Sequence, residues 1–455
     1  MKQTIRSVEG ILDPIHRIDK KLSQKMAAFR RAIQISVVAG CLIAAPGRAG
    51  AQSPADPEFR RGMAALHLFE YEDANDAFRR AEQLDPRFAM AYWGEAMTYS
   101  QTLWRREDVV AARRALARLG PSPAARAAAA RTETEKALLG AVEILFGDGN
   151  AAERHRRYAD AMARVYARHS DDADVASLYA LALLGTMSRS LIGYDAHEGH
   201  SHGLAGSDVQ ARVADILNRV LASHPDHPGA LHYLLHDYDD PEHARLGLPA
   251  ARALAKISPE SSHARHMPSH IFLQLGMWRE AAASDRAAYD LSNAWIARRG
   301  LGLAMRNYHA LSWLEYELLQ RGRYRDAWST LGELEPVVKT TNAAPLLSDL
   351  SSMRARFVVE TRRWALMAGE NNFANVNDLF AIGMSTARTN AVDRAERVRQ
   401  MLAARSQSEQ EGDLRPAIAI MERELTALIA LAGGRAAEAV QVFGEVLGKK
   451  STAAA

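Results

Sequence analysis

Cysteine is almost absent from this chain of 455 residues. The single cysteine, Cys41, lies in the N-terminal segment, so the rest of the chain contains no thiol. Without a second cysteine the chain forms no internal disulfide, and beyond residue 41 it offers neither a thiolate ligand nor a cysteine nucleophile. A metal site in the remainder must therefore use histidine or carboxylate ligands.

An excess of charge, strand patterns and familiar catalytic motifs are also lacking. The 57 basic and 54 acidic residues give a net charge of +3, so we expect no nucleic-acid partner. No segment alternates apolar and polar residues with β-branched side chains, which argues against a sheet. The absence of HExxH, of a glycine-rich phosphate loop and of a nucleophile elbow excludes the standard enzymes that carry them.

The first 51 residues have the layout of a secretory signal. Basic residues precede an apolar run at Ala32–Pro46, and a small-x-small pattern, AGA, ends at Ala51. We expect cleavage after Ala51 and a periplasmic or secreted protein. The sequence VAGC ending at Cys41 resembles a lipoprotein box, so a lipid on Cys41 is an alternative, and an uncleaved anchor is a third. Membrane contact is expected only through such a lipid or anchor.

A spacing of small and aromatic residues recurs along the chain, and its clearest copy comprises Gly62, Tyr71, Ala74, Phe78, Ala81 and Pro86. Later copies begin at Gly276, Gly322 and Gly434. In such a pattern the small residues let two antiparallel helices approach, and the aromatic rings fill the gap to the next pair. The spacing predicts an all-α fold, a right-handed superhelical solenoid of antiparallel helix pairs.

These offsets resemble the tetratricopeptide repeat family. The segments AYWGEAMTY at 91–99, PDHPGALHYLLH at 225–236 and HARHMPSHIFLQLGMW at 263–278 are similar to an exported bacterial group of such proteins whose activity is uncharacterised. The resemblance implies the fold and almost nothing about function. Relatives often continue the first segment with Asn-His, whereas this chain has Ser100 and Gln101, so no histidine ligand is implied there.

The predicted organisation has five parts: a signal peptide at 1–51, repeats at 52–118, a helical linker and helix pair with an inserted His-rich loop at 119–207, His-rich repeats at 208–335, and C-terminal helical repeats at 336–455.

Histidine is unusually concentrated. Of 16 histidines, twelve fall between His197 and His309. His232 and His236 are four positions apart in an apolar helical segment, so both imidazoles face the same side, about 5–6 Å apart at Cβ. That spacing provides half of a zinc-type site. The alternative is a pair of polar groups on the concave face, satisfied by water or carboxylates.

His266 and His270 repeat this spacing, with Pro268 between them. Because proline fits the first helical turn, we expect the helix to begin near Pro268, with His266 in the preceding loop. His309 lies in the first helix of the following repeat, where packing against Trp313 is the alternative role. First helices line the concave face and stack roughly 10 Å apart, so histidines of consecutive repeats can share an ion.

Glu95 is an acid in an otherwise apolar helix, where it is either solvated or a carboxylate ligand or general base. The candidate metal ligands are His232, His236, His266, His270, His309 and Glu95. Imidazole suits zinc and copper, so the expected cofactor is one of these divalent ions. No catalytic residue is assigned.

Two functions remain open. The first is an exported repeat scaffold that binds a peptide or protein segment in its concave groove, as such arrays commonly do. The second is a metal-binding protein or metalloenzyme that uses the histidine cluster on consecutive repeats.

Overall fold

A computed structural model describes residues 53–187, 208–258, 260–371, 375–408 and 414–453, with side chains described to residue 446. Ser53–Ala455 forms one compact unit. The expectations for the signal peptide, for Cys41 and for the His-rich loop at 197–202 fall outside the described residues.

The N-terminal half of the described chain is built from short antiparallel helices. They are α1 (Asp56–His67), α2 (Tyr71–Leu84), α3 (Ala89–Thr98), α4 (Val109–Leu119), α5 (Pro123–Ala128), α6 (Glu133–Leu145), α7 (Ala151–Arg168), α8 (Ala173–Leu184), α9 (Asp208–Ser223) and α10 (Pro228–Asp237). Two strands of two residues each, β1 (Ser100–Gln101) and β2 (Arg106–Glu107), pair antiparallel around a 3₁₀ turn at Thr102–Trp104.

The C-terminal half continues in the same way, with longer helices. They are α11 (Ala244–Ile257), α12 (Ser262–Gln274), α13 (Trp278–Arg299), α14 (Tyr308–Gln320), α15 (Tyr324–Thr341), α16 (Ala344–Thr361), α17 (Val376–Arg388), α18 (Val392–Ser406), α19 (Arg415–Ala432) and α20 (Ala436–Ala453). Further 3₁₀ turns lie at Leu303–Met305 and Trp364–Leu366.

Most of these helices pack chiefly against the helices that precede and follow them in sequence. This is the arrangement of a helix-pair solenoid, in which each pair buries its apolar face against its neighbours. The predicted all-α solenoid of antiparallel helix pairs is therefore confirmed. Among the described residues, none of the helices combines the length and apolarity that a membrane span requires.

The glycines of the repeat pattern have the roles that their spacing predicts. A Cβ on Gly62 of α1 or on Gly94 of α3 would lie 2.7 or 2.4 Å from the ring of Phe78. Phe78 of α2 is fully buried, so its ring fills the space that the two glycines leave. Gly276 and Gly322 turn the chain between paired helices with φ of +68° each, a conformation that glycine adopts without strain.

The structure corrects the predicted start of α12. The helix begins at Ser262, so Pro268 lies inside it and His266 is helical. The side chain of Ser261 caps the helix by accepting from the N–H of Ala264, and Pro268 is buried. The cap and this packing outweigh the backbone hydrogen bond that a proline removes.

The predicted boundary between residues 335 and 336 falls inside a helix. Pro336 lies within α15, which runs to Thr341. The helix continues through this proline, since burial of Leu334, Val337 and Val338 on one face holds the helix together.

Candidate metal centre

The first group of converging histidines spans α10 and α12. Helix α10 has Pro228 in its first turn, and the side chain of His227 accepts a hydrogen bond from the N–H of Ala230. This cap fixes where the helix begins. His232 and His236 then lie one turn apart on a buried face.

The Nε2 atoms of His232, His236 and His263 converge, and we call these three residues triad 1. Nε2 of His232 lies 3.1 Å from Nε2 of His236 and 3.0 Å from Nε2 of His263. On the other edge of its ring, Nδ1 of His232 donates to the carbonyl oxygen of His67 at 2.7 Å. A neutral His232 therefore has its lone pair on Nε2, directed into the triad.

Burial keeps triad 1 in the form that binds metal. It lowers the pKa of His232 to about 4, and burial with the nearby histidines lowers the pKa of His263 well below its usual value. Nitrogens about 2.0–2.1 Å from a tetrahedral ion lie about 3.3 Å apart. The Nε2 distances of 3.0 and 3.1 Å are close to this spacing, and all three ligand nitrogens lie within 4.8 Å of one another, so they can close around one ion.

Aromatic rings cover triad 1. The ring of Phe69 lies 4.4 Å from that of His232, and the ring of Trp104 lies 5.4 Å from that of His263, measured between centroids. Phe69 has a φ of 58°, in the left-handed region that side chains other than glycine rarely adopt. Such strain is found preferentially at functional sites, and here it places an apolar ring against the histidines.

The second group, triad 2, consists of His266, His270 and His309 on α12 and α14. Nδ1 of His266 donates to Asp285 at 2.5 Å, and Nδ1 of His270 donates to Asp239 at 2.7 Å. Because these protons are on Nδ1, the neutral rings carry their lone pairs on Nε2, and the two Nε2 atoms face each other at 2.9 Å. Two lone pairs at this distance need a proton or a metal ion between them.

Triad 2 is buried beside carboxylates. His266 and His270 are at most 1% exposed, and Asp239 and Asp285 at most 4%. Burial first, and then Asp285, raise the pKa of Glu317 well above its ordinary value, which favours the neutral form of this carboxyl group. Histidines that bind metal typically donate their other N–H to such a carboxylate.

A third group contains imidazoles in a different arrangement. We call His67, Asp174 and His227 the Asp174 network. Nδ1 of His227 accepts from the N–H of Ala230 at 3.1 Å, so its proton is on Nε2, which donates to Asp174 at 3.2 Å. Nε2 of His67 likewise donates to Asp174 at 2.8 Å, while its Nδ1 lies 2.9 Å from the hydroxyl of Tyr233. The nitrogens that face the centre of this group carry protons and offer no lone pair to a metal.

The electrostatics of the network support this assignment. Burial by itself would raise the pKa of Asp174, but hydrogen bonds from His227 and His67 outweigh it and lower this pKa below its usual value. Burial lowers the pKa of His67, which is therefore neutral at pH 7. The ring nitrogens of the network are thus hydrogen-bonded within the protein. The backbone carbonyl oxygen of His67 also accepts from His232 and so orients this ligand of triad 1.

No protein-family model and no curated protein matches this chain. Among solved structures, the chain is similar to yeast Tom70, with 10% identity over 89% of this chain and 88% of that one and a TM-score of 0.38. It is also similar to the TPR domain of P58(IPK), with 15% identity over 83% of this chain and 99% of that one and a TM-score of 0.19. Likenesses this distant carry no inference about function.

Five of the six predicted ligands lie in the triads, and Glu95 does not. Glu95 is buried in α3, where it pairs with Arg118 and accepts from the hydroxyl of Tyr99. Arg118 also pairs with Glu82 at 2.7 Å. Glu95 thus belongs to a separate buried ion-pair cluster, and the structure gives it no role beside the histidines.

Sequence reasoning missed part of the site. His263 completes triad 1 but was not among the predicted ligands. The helix was expected to begin near Pro268, which left His263 outside any helix and without a defined face. Asp239 and Asp285 lie on other segments, and no spacing in the sequence connects them to the histidines that they orient.

Proposed function

We propose that this chain is a metal-binding protein whose two triads hold first-row transition-metal ions, zinc or copper. The observation that carries the proposal is the pair of Nε2 atoms of His266 and His270. These two nitrogens face each other at a distance of 2.9 Å. The Nδ1 proton of each ring is donated to a buried carboxylate. This is the tautomer that a histidine ligand requires.

Charge balance favours a metal ion over a proton at triad 2. Asp239 and Asp285 are both buried, and buried charges are retained only when paired or bound to metal. One divalent ion held by three neutral imidazoles would neutralise both carboxylates, whereas one shared proton neutralises only one of them. Zinc and copper both accept imidazole nitrogen at about 2.0–2.1 Å.

The chemistry available at such an ion is that of an open site. Three histidine ligands leave a fourth position for water or substrate, and zinc in this setting lowers the pKa of bound water to about 7. Glu95, the base suggested by the sequence, pairs with Arg118 instead.

The test is metal analysis of purified protein. We expect up to two ions per chain, with one lost from a His232→Ala, His236→Ala variant and one from a His266→Ala, His270→Ala variant. The matched control, His169→Ala with His224→Ala, removes two imidazoles that lie outside the three groups and should keep full metal content. A parent protein without stoichiometric metal after reconstitution with zinc or copper would refute the proposal.

A second candidate function is the binding of a peptide segment, and a cavity favours it. This cavity of about 390 Å³ lies on α12, α14, α16 and α17, and its lining includes Trp313, Tyr316, Arg356 and Phe380. Its aromatic walls suit an apolar side chain, and its size is at the lower end for ligand pockets. Peptides selected on the parent protein should lose affinity for Phe380→Ala; equal affinity for this variant would exclude the cavity.

We also propose that the protein is exported, on the basis of the signal-like N-terminal segment. Sequencing of protein recovered from the periplasm or the medium should give an N-terminus at Gln52. A diacylated Cys41 would instead establish the lipoprotein alternative.

A further inference from the structure

The two triads are adjacent because they share a helix. His263 of triad 1 and His266 and His270 of triad 2 all lie on α12. Three residues of α-helix advance about 4.5 Å along the axis. The ring centroids of His263 and His266 are 6.5 Å apart, so ions in the two triads would be close neighbours.

We propose that the two triads hold a pair of copper ions that act as one centre and bind dioxygen between them. This inference rests on the proposed metal-binding function and deepens it by naming the metal, its nuclearity and the small molecule it binds. Three imidazoles from α10 and α12 hold one ion, and three from α12 and α14 hold the other.

The choice of copper follows from the ligands. In the part of the chain that the structure describes, both triads consist of imidazoles alone. Of the divalent ions that imidazole suits, copper binds most tightly in the usual affinity order. Three imidazoles can also hold the monovalent state of copper, because neutral nitrogen ligands bring no charge of their own to the ion.

Dioxygen requires both ions. Each Cu(I) gives up one electron, so two Cu(I) ions supply the two electrons that reduce one dioxygen molecule to the oxidation level of peroxide. The O–O bond order falls from two to one, both ions become Cu(II), and no proton is consumed. A single copper ion supplies only one of these electrons, so adjacency of the triads is the feature on which this chemistry depends.

A small molecule has a route to the centre. His263, which is only partly buried, lines a cavity of about 220 Å³ together with Glu70, Glu260 and Trp295. The other side of triad 1 is covered by Phe69 and Trp104, and triad 2 is covered by Trp313, whose ring centroid lies 4.3 Å from that of His270. The ions would thus sit in an enclosure, covered by aromatic rings, that admits a diatomic molecule at one edge.

The first experiment is a spin count on the full chain reconstituted with two Cu(II) ions. Magnetic coupling between neighbouring ions should reduce the electron paramagnetic resonance signal well below two spins per chain. The His266→Ala, His270→Ala variant should bind one copper ion and give one full spin. Two ions with two full, unbroadened spins would overturn the dinuclear proposal while leaving metal binding intact.

The second experiment measures dioxygen uptake after reduction with ascorbate and removal of the reductant under anaerobic conditions. The parent should take up about one dioxygen per two copper ions, with a new visible absorption band, and the one-copper variant should show neither. Loading with zinc but not with copper, or a parent with two Cu(I) ions that takes up no dioxygen, would overturn the inference. Failure to bind either metal would instead refute the proposed function itself.

Discussion

The Asp174 network, like the triads, brings imidazoles together, yet only the triads are arranged to hold a metal. In the network, the proton of each imidazole lies on the inward Nε2 and is donated to Asp174. In triad 2, Asp239 and Asp285 lie behind the rings and take the Nδ1 protons. The position of the carboxylate, inside the group or behind it, decides which nitrogen carries the lone pair.

This difference shows why a cluster of histidines alone is weak evidence for a metal. A carboxylate at the centre accepts the hydrogen bonds of the imidazole N–H groups, so these groups are satisfied by the protein itself without an ion. A carboxylate behind the ring directs the lone pair inward and increases the basicity of the ligand nitrogen. The following predictions test whether this distinction between the two regions holds.

The largest expected effect comes from removing one histidine from each region. His67→Ala should lower the free energy of unfolding by about 2–4 kcal/mol, because it leaves a cavity and removes the buried partner of Tyr233. The loss should be the same with and without chelator, since the network holds no metal. Urea unfolding monitored by circular dichroism gives this value.

His266→Ala should behave differently in the same assay. An ion present at a thousand times its dissociation constant stabilises the parent by about 4 kcal/mol. In the presence of metal, the free energy of unfolding of the variant should therefore be much lower than that of the parent. When chelator removes the ion from the parent, this difference should shrink by an amount of this order. If chelator changes the difference for His67→Ala as much as that for His266→Ala, the two regions are not distinct.

The second prediction concerns the carboxylates. Asp285→Asn should weaken metal binding about 10–100-fold, because removal of a carboxylate behind a histidine ligand has this effect in other sites. Asp174→Asn is the matched variant and should leave metal affinity unchanged, although it should destabilise the fold. Competition titration with a chromophoric chelator measures both affinities, and equal losses in the two variants would contradict the assignment of roles.

The sequence was informative where the signal is local. The glycine and aromatic spacing around Phe78 predicts helix pairs because each repeat is a local unit, and the i, i+4 spacing of His232 and His236 is a property of one helix. The orienting contacts of Asp239 and Asp285 depend on how separate segments pack, and one sequence carries no signal for this. At Pro268 the local signal was misleading. The preference of proline for the first turn of a helix was overridden by burial of its side chain and by the helix cap at Ser261.

A smaller effect is expected at Phe69, which lies between the two regions. Its ring lies 4.4 Å from that of His232 in triad 1 and 5.6 Å from that of Tyr233, the partner of His67. Phe69→Leu should cost about 1–2 kcal/mol in stability, because the smaller side chain leaves a small cavity, and should speed release of one ion. Phe59→Leu, in the aromatic cluster with Phe78, is the control for lost aromatic packing. Release at the parental rate in Phe69→Leu would show that this ring does not shield triad 1.

The last prediction concerns a buried carboxyl group that is paired with an arginine rather than with histidines. Glu82 and Glu95 both pair with Arg118, and burial first, then Glu95, raise the pKa of Glu82 to about 8. In the unfolded chain this carboxyl has an ordinary pKa of about 4.3. Its contribution to stability is therefore complete below pH 4 and is lost as the pH rises towards 8.

Glu82→Gln should remove this pH dependence, because an amide keeps the neutral form at every pH. Between pH 5 and pH 8 the variant should lose less stability than the parent, as measured by urea unfolding at each pH. Glu143→Gln changes a carboxylate paired with Arg126 and is the matched control, expected to retain the slope of the parent. A slope that is the same in Glu82→Gln and in the parent would mean that Glu82 is ionised in the fold. Arg118 would then balance two negative charges.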